Sequence, residues 1–277
     1  MRPGGNPWCG VSPQRRWFLF AVAAALMVAV FTGSLLVIRG REASDPSVPQ
    51  DRPGPVLLVP GYGGNTASLQ VLASALRDSG RDVVLVDLLG DGMGDLRQQA
   101  QQLKSLADRA VAAGAPSVDV VGYSAGGVVV RIWAAELGGN AVARRIVTLG
   151  APHHGTTVAQ VGAALAPSAC PVACRQLVPG SDLLDTLPET PDGPVWTAVW
   201  TAQDETVTPP QSARLDGALD VEVQRVCPGA HVSHGALPRD PLVVGLVKQA
   251  LAVPVLAAAP RPSQCDAVRA LGAAARP

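Results

Sequence analysis

The sequence predicts an α/β protein: a mostly parallel central sheet flanked by helices, preceded by an N-terminal transmembrane helix. Three observations predict it. Short β-rich runs alternate with helical patterns, the β-rich runs are apolar at consecutive positions, and an uncharged stretch as long as a membrane span lies near the N-terminus. Consecutive apolar positions mark strands buried on both faces. Strand–helix alternation marks a parallel sheet whose crossovers are helices.

The N-terminal stretch comes first. Residues 17–38 read WFLFAVAAALMVAVFTGSLLVI, without a charge, behind Arg15 and Arg16. About 20 apolar residues span a bilayer as a helix. A signal peptide would have a shorter apolar core, of about 7–15 residues, and a small-residue cleavage site. RGREASDPSVP offers a poor one, so the reading is an uncleaved signal anchor over 17–38, with a cleaved signal peptide as the alternative. Arg2, Arg15 and Arg16 precede the span and Arg39, Arg41 and Arg52 follow it, so the positive-inside count is nearly tied. The cysteines favour export. Cys9 precedes the span, whereas Cys170, Cys174, Cys227 and Cys265 follow it, and an even number in an exported domain suggests two disulfides. Of the three connectivities, Cys170–Cys174 and Cys227–Cys265 are preferred: one closes a local loop and the other ties down the C-terminal tail. The expected location is the cell membrane with the folded domain outside the cytoplasm, or secretion if the segment is cleaved.

After a short leading segment (1–16) and the span, a polar, Pro-rich linker covers 39–54. The folded domain is expected over 55–255 and a loosely packed tail over 256–277. Strands are expected at 56–59, 83–87, 118–121, 145–149, 195–201 and 221–226, and helices at 68–79, 95–113, 125–137 and 242–251. Residues 155–194 hold Pro, Gly, Ser and two Cys, and read as a loop-rich excursion over one end of the sheet. Composition fits a sizeable core: 48% of the 277 residues are hydrophobic and 16% charged. Lys plus Arg (22) balances Asp plus Glu (22), so there is no basic excess to neutralise nucleic-acid phosphates. The four later cysteines lack paired zinc-finger spacing. No metal, cofactor or nucleic acid is expected, and the sequence names no protein partner.

The run 118–121 leads into Gly122-Tyr123-Ser124-Ala125-Gly126, and a helical pattern follows. G-x-S-x-G between a strand and a helix is a nucleophile turn. The turn is so sharp that side chains flanking the serine would collide, which glycines at 122 and 126 prevent. Ser124 is the candidate nucleophile, and the helix behind it points N-terminal amides at developing negative charge. Acyl transfer also needs two N–H donors for the oxyanion. One is Ala125, directly after the serine. The other is assigned to Tyr62, in the loop Pro60-Gly61-Tyr62-Gly63-Gly64 that follows the first strand.

A serine needs a base, and the base needs an orienting acid. In strand–turn–helix sites of this kind the chain order is Ser, acid, His. Asp204 closes the strand VWTAVWTAQ at the sheet's carboxyl edge, where catalytic groups collect. Glu205 is the runner-up, while Asp182 and Asp185 lie in the excursion. His153 and His154 precede the acid, in the wrong order, but lie near the site. His231 and His234 follow the last strand, and His234, nearer the final helix, is preferred as base.

The set PGYGG, GYSAGG, LGAPHHGT, an Asp followed by TVTPP, and VSHGALP resembles the class 2 bacterial lipases, small α/β-hydrolases of actinobacterial and Bacillus type. The resemblance covers about 55–253. It implies a minimal α/β-hydrolase domain with Ser124 as nucleophile, Asp204 as acid, His234 as base and the Tyr62 and Ala125 amides as oxyanion hole. It implies hydrolysis of ester or lipid substrates without metal or cofactor. An acyltransferase, thioesterase or amidase on the same triad is the alternative within catalysis. A non-catalytic, membrane-anchored binding protein is the alternative outside it. The apparent anchor and the cysteine-bearing excursion depart from the smallest family members.

Overall fold

The computed structural model describes Met27 and residues 48–273. The anchor reading of 17–38 and most of the linker therefore fall outside the described residues. Among the described residues no helix is long and apolar enough to cross a membrane. The chain divides into two compact units, Met1–Ser44 and Asp45–Pro277; the sheet and its helices belong to the second.

Six strands form one sheet: β1 (Val56–Val59), β2 (Val83–Leu85), β3 (Val118–Tyr123), β4 (Ala143–Leu149), β5 (Val195–Trp200) and β6 (Leu219–Glu222). Their spatial order is β2-β1-β3-β4-β5-β6, and every neighbouring pair is parallel. The VLLV of β1 shows why strands read as continuous apolar runs. Val56 and Leu58 enter one core and Leu57 and Val59 the other, and all four are buried. The first core is closed by α1 (Gln70–Asp78) and, later in the chain, α8 (Pro241–Ala250) and α9 (Cys265–Gly272). The second is closed by α2 (Leu96–Ala112) and α3 (Ala125–Glu136). Between β4 and β5 come α4 (Thr157–Leu165), α5 (Val172–Gln176) and α6 (Asp182–Thr186); α7 (Val223–Val226) follows β6.

Helix ends follow side-chain chemistry. Asp95 and Asp240 cap α2 and α8 by accepting the amides of Arg97 and Leu242 (2.8 Å each), which satisfies donors a helix start leaves free. At the amino edge of the sheet, fully buried Asp119 on β3 is paired with Arg144 and Arg81. A buried carboxylate needs such partners.

Three expectations change. The run 221–226 is not one strand: it turns helical after Glu222. Val223 and Val226, three residues apart, are both buried, a helical spacing. The excursion 155–194 holds three short helices rather than loop alone. The C-terminal stretch is not a loose tail but forms α9, whose Val268 is fully buried. Gly245 on α8 and Gly272 on α9 permit the approach. A Cβ on Gly245 would lie 2.0 Å from the Val268 carbonyl oxygen, and one on Gly272 1.8 Å from that of Pro241. The Cys227–Cys265 disulfide fastens the start of α9 to the core, and Cys170–Cys174 closes its five-residue loop in the excursion.

Candidate active site

The strand order decides where a site can form. From β1 the chain goes to β2 on one side, then to β3 on the other. The loops leaving β1 and β3 therefore diverge and leave a crevice at the carboxyl edge, the favoured ligand position in open α/β sheets. Ser124 sits there, between β3 and α3, with φ 53° and ψ −128°. Among the described residues it is the one non-glycine with positive φ. A strained backbone at a serine in a crevice is an observation that motivates a functional reading.

The surrounding glycines show what holds the strain. A Cβ on Gly122 would lie 2.6 Å from the Gly127 Cα and 2.8 Å from the Gly126 carbonyl oxygen, so this glycine is needed by the turn itself. Gly126 is needed for another reason than the sequence suggested. Its Cβ would strike the carbonyl oxygens of Pro60 (2.4 Å) and Val59 (2.5 Å) at the end of β1. That contact depends on β1 lying beside β3, which the motif does not reveal.

Ser124, His234 and Asp204 come together across the chain. The Ser124 hydroxyl lies 3.0 Å from His234 Nε2, and His234 Nδ1 lies 2.8 Å from Asp204 Oδ2. All three are buried. The carboxylate on the Nδ1 side places the ring proton there, leaving Nε2 to accept from the serine. Asp204 Oδ1 accepts the amides of Thr206 (2.9 Å) and Val207 (2.7 Å), which fixes the carboxylate plane.

Four further residues hold this arrangement. Glu205, weighed in the sequence only as an alternative acid, instead accepts the His234 amide (3.1 Å). Gln203 accepts the Val232 amide (3.2 Å), tying the acid loop to the histidine loop. The Tyr123 hydroxyl donates to the His234 carbonyl (3.2 Å), and its ring lies 5.2 Å from the imidazole. Burial foremost, then the Asp204 charge, pushes its phenol up to about 12, so it remains a donor throughout the neutral range. Gly150, at the end of β4 with φ 53°, passes behind the acid–base pair; a Cβ there would lie 3.1 Å from Asp204 Oδ2 and 3.3 Å from His234 Nδ1. Such contacts are made by the folded chain alone and leave no motif.

The other histidines lie elsewhere. His231 is exposed, with Nδ1 3.3 Å from the Gln203 side-chain nitrogen. His154 is exposed beside Glu189. His153 is fully buried; its Nε2 meets the Thr148 hydroxyl (3.2 Å), and its carbonyl accepts from Arg131 (2.9 Å). Burial, then the charges of Arg131 and His154, holds its pKa well below the usual 6.5. The unfolded chain therefore binds a proton near pH 6.5 that the folded chain refuses. Stability from neutral burial is complete above about pH 6.5 and is lost as pH falls below it. Urea unfolding at pH 7.5 and pH 5.0 checks this. His153→Gln should lose less stability between the two than the wild type; equal losses would show that another group titrates.

Tyr62 and Ala125 border the same cavity as Ser124, a space of about 300 Å³. The β1 loop runs tightly past the serine: a Cβ on Gly61 would lie 2.9 Å from the Ser124 Cβ. The outer wall is apolar and comes from the excursion, through Val158, Ala159 and Gly162 of α4, and Cys174 and Leu177. The Cys170–Cys174 bridge is thus part of the wall. Among the described residues no cluster of three or more His, Cys, Asp or Glu side chains could hold a metal ion.

The sheet order, the strained turn after β3 and the Ser–His–Asp contact define an α/β-hydrolase fold. The protein family described as alpha/beta hydrolase fold matches residues 54–169. Among solved structures, the chain is similar to the mature form of the Bacillus licheniformis lipase BlEst2, at 18% identity and TM-score 0.61. That alignment covers 76% of this chain and 95% of that one. It is also similar to Aspergillus fumigatus lipase B, at 18% identity and TM-score 0.60, covering 83% of this chain and 62% of that one. At such identities the likeness is one of fold. A search of curated proteins finds no match to this sequence.

Proposed function

We propose that this protein is a serine carboxylester hydrolase acting on lipid-like esters, in the manner of the class 2 bacterial lipases whose motifs it resembles. The observation that carries the reading is the relay Ser124–His234–Asp204, with contacts of 3.0 and 2.8 Å, bordering an apolar cavity. The similar Bacillus and Aspergillus proteins are lipases by name; for this chain the reading rests on its own residues.

In this mechanism His234 Nε2 takes the Ser124 proton as Oγ attacks the ester carbonyl, while Asp204 holds the imidazole in the required tautomer. The amides of Tyr62 and Ala125 receive the oxyanion. One such donor is worth about 10²–10³ in rate. His234 returns its proton to the leaving alkoxide, and water then releases the acyl group from Oγ by the reverse sequence. Apolar walls beside Ser124 suit an aliphatic chain and offer few partners to a polar one.

A panel of p-nitrophenyl esters, a matching anilide and a matching thioester tests the reaction class. Fastest turnover of the esters supports the proposal; turnover of the anilide or thioester alone would overturn it.

We propose further that residues 17–38 anchor the protein, with the folded domain outside the cytoplasm. The uncharged apolar length, the poor cleavage sequence and the two disulfides support this. N-terminal sequencing of material from cell fractions of the native host checks it. A mature terminus between about residues 39 and 55 would identify a cleaved signal peptide instead.

A further inference from the structure

If the protein hydrolyses esters as proposed, Gly162 stands out on the wall of the cavity beside Ser124. Five glycines lie inside α-helices of the described residues. Four are required by close packing. A Cβ would lie 2.4 Å from the Pro60 carbonyl oxygen at Gly126 and 2.3 Å from the Ala151 Cβ at Gly127. At Gly245 and Gly272 it would meet carbonyl oxygens at 2.0 and 1.8 Å. Gly162 is the exception. Its φ is not positive, and apart from its chain neighbours and its own helix backbone the one atom within 4 Å of its Cβ position is Cys174 Sγ, at an ordinary 3.7 Å.

Alanine would therefore fit at 162, and glycine is the least favourable helix residue after proline. Neither backbone conformation nor packing accounts for it. What distinguishes its position is that it borders the cavity beside Ser124. A Cβ there would lie 3.7 Å from Cys174 Sγ, and Cys174 lines the same cavity, as does Ala159 one turn earlier on the same helix.

We propose that Gly162 is a specificity-determining residue: its missing side chain leaves room for an aliphatic acyl chain longer than acetyl. The acyl part is the one that stays bonded to Ser124 Oγ after the alcohol departs, so it must occupy space adjoining that atom. The cavity adjoins it, and its walls are apolar. The Cys170–Cys174 bridge then bounds that room from the α4–α5 side.

The test is a p-nitrophenyl ester series from acetate to laurate, run on the wild type, G162A, G162L and V161L. Val161 is exposed on the same helix and does not border the cavity. Each methylene shut out of an apolar site costs about fourfold in binding. G162L should lower the octanoate-to-acetate ratio of kcat/KM at least tenfold, by about that principle applied to two excluded methylenes or more. G162A should lower it less, and V161L should leave it unchanged.

Stability moves the opposite way. G162A should raise Tm by about 2–4 °C, so reduced long-chain activity cannot be put down to a damaged fold. If G162L fails to fold, G162A carries the test with a change of about fourfold. An unchanged ratio in folded variants overturns the inference and leaves the ester reading standing. A shift confined to a series varying the alcohol at fixed acyl group also overturns it. Absence of turnover by the wild type on every chain length overturns both.

Discussion

His234→Ala should lower kcat for ester hydrolysis by a factor on the order of 10⁶, the cost of removing the base from a serine relay. His231→Ala should change it by less than about tenfold, since its ring is exposed and meets the Gln203 side chain rather than Ser124. The two histidines are three residues apart and follow the same strand, so composition and chain order do not separate them. Geometry does. His234 Nε2 is 3.0 Å from Ser124 Oγ, whereas His231 meets the Gln203 side chain. Steady-state kinetics on both variants, with melting curves to confirm folding, make the comparison. Reversed effects would move the base to His231 and overturn the relay as described.

Asp204→Asn should cost about 10⁴ in kcat with little change in KM. An amide at this position can present its nitrogen to Nδ1, which favours the tautomer with the proton on Nε2. Ser124 then faces a donor instead of an acceptor. Glu205→Gln separates the acid from its neighbour. Glu205 accepts the His234 amide, whereas the ring nitrogens meet Asp204 and Ser124, so its amide variant should lose less than about tenfold. A larger loss at Glu205 than at Asp204 would show that the wrong carboxylate has been assigned.

Much of the fold can be read from the chain because parallel strands carry their burial openly. VLLV, VDVVGY and VWTAVW are apolar enough to mark strands without knowing their neighbours. Which strand lies beside which cannot be read this way, and several details follow from that order. Gly126 is needed because β1 presses on the start of α3. Asp119 is tolerated in a buried strand because Arg81 and Arg144 arrive from distant parts of the chain. The helices of 155–194 are short, and α9 is eight residues long and lies beyond a proline-rich stretch, so neither offers a long pattern to read.

The site divides in the same way. Ser124 stands out because the turn it occupies needs glycine at fixed offsets, and Asp204 because it closes a strand at the carboxyl edge of the sheet, whereas chain order narrows the base only to His231 or His234. The residues that orient them leave weaker traces. Tyr123 is the free position of the motif, Glu205 looks like a competing acid, and Gly150 looks like any turn glycine. Their roles arise from contacts with His234 and Asp204 that exist once the three loops meet.

Whether Ser124 is an activated nucleophile can be read with an active-site-directed fluorophosphonate. The wild-type protein should incorporate one phosphonyl group, mapped by peptide mass spectrometry to Ser124. Labelling should vanish in Ser124→Ala and slow by orders of magnitude in His234→Ala. Folded wild-type protein that remains unlabelled, or carries the label at another residue, would contradict the account.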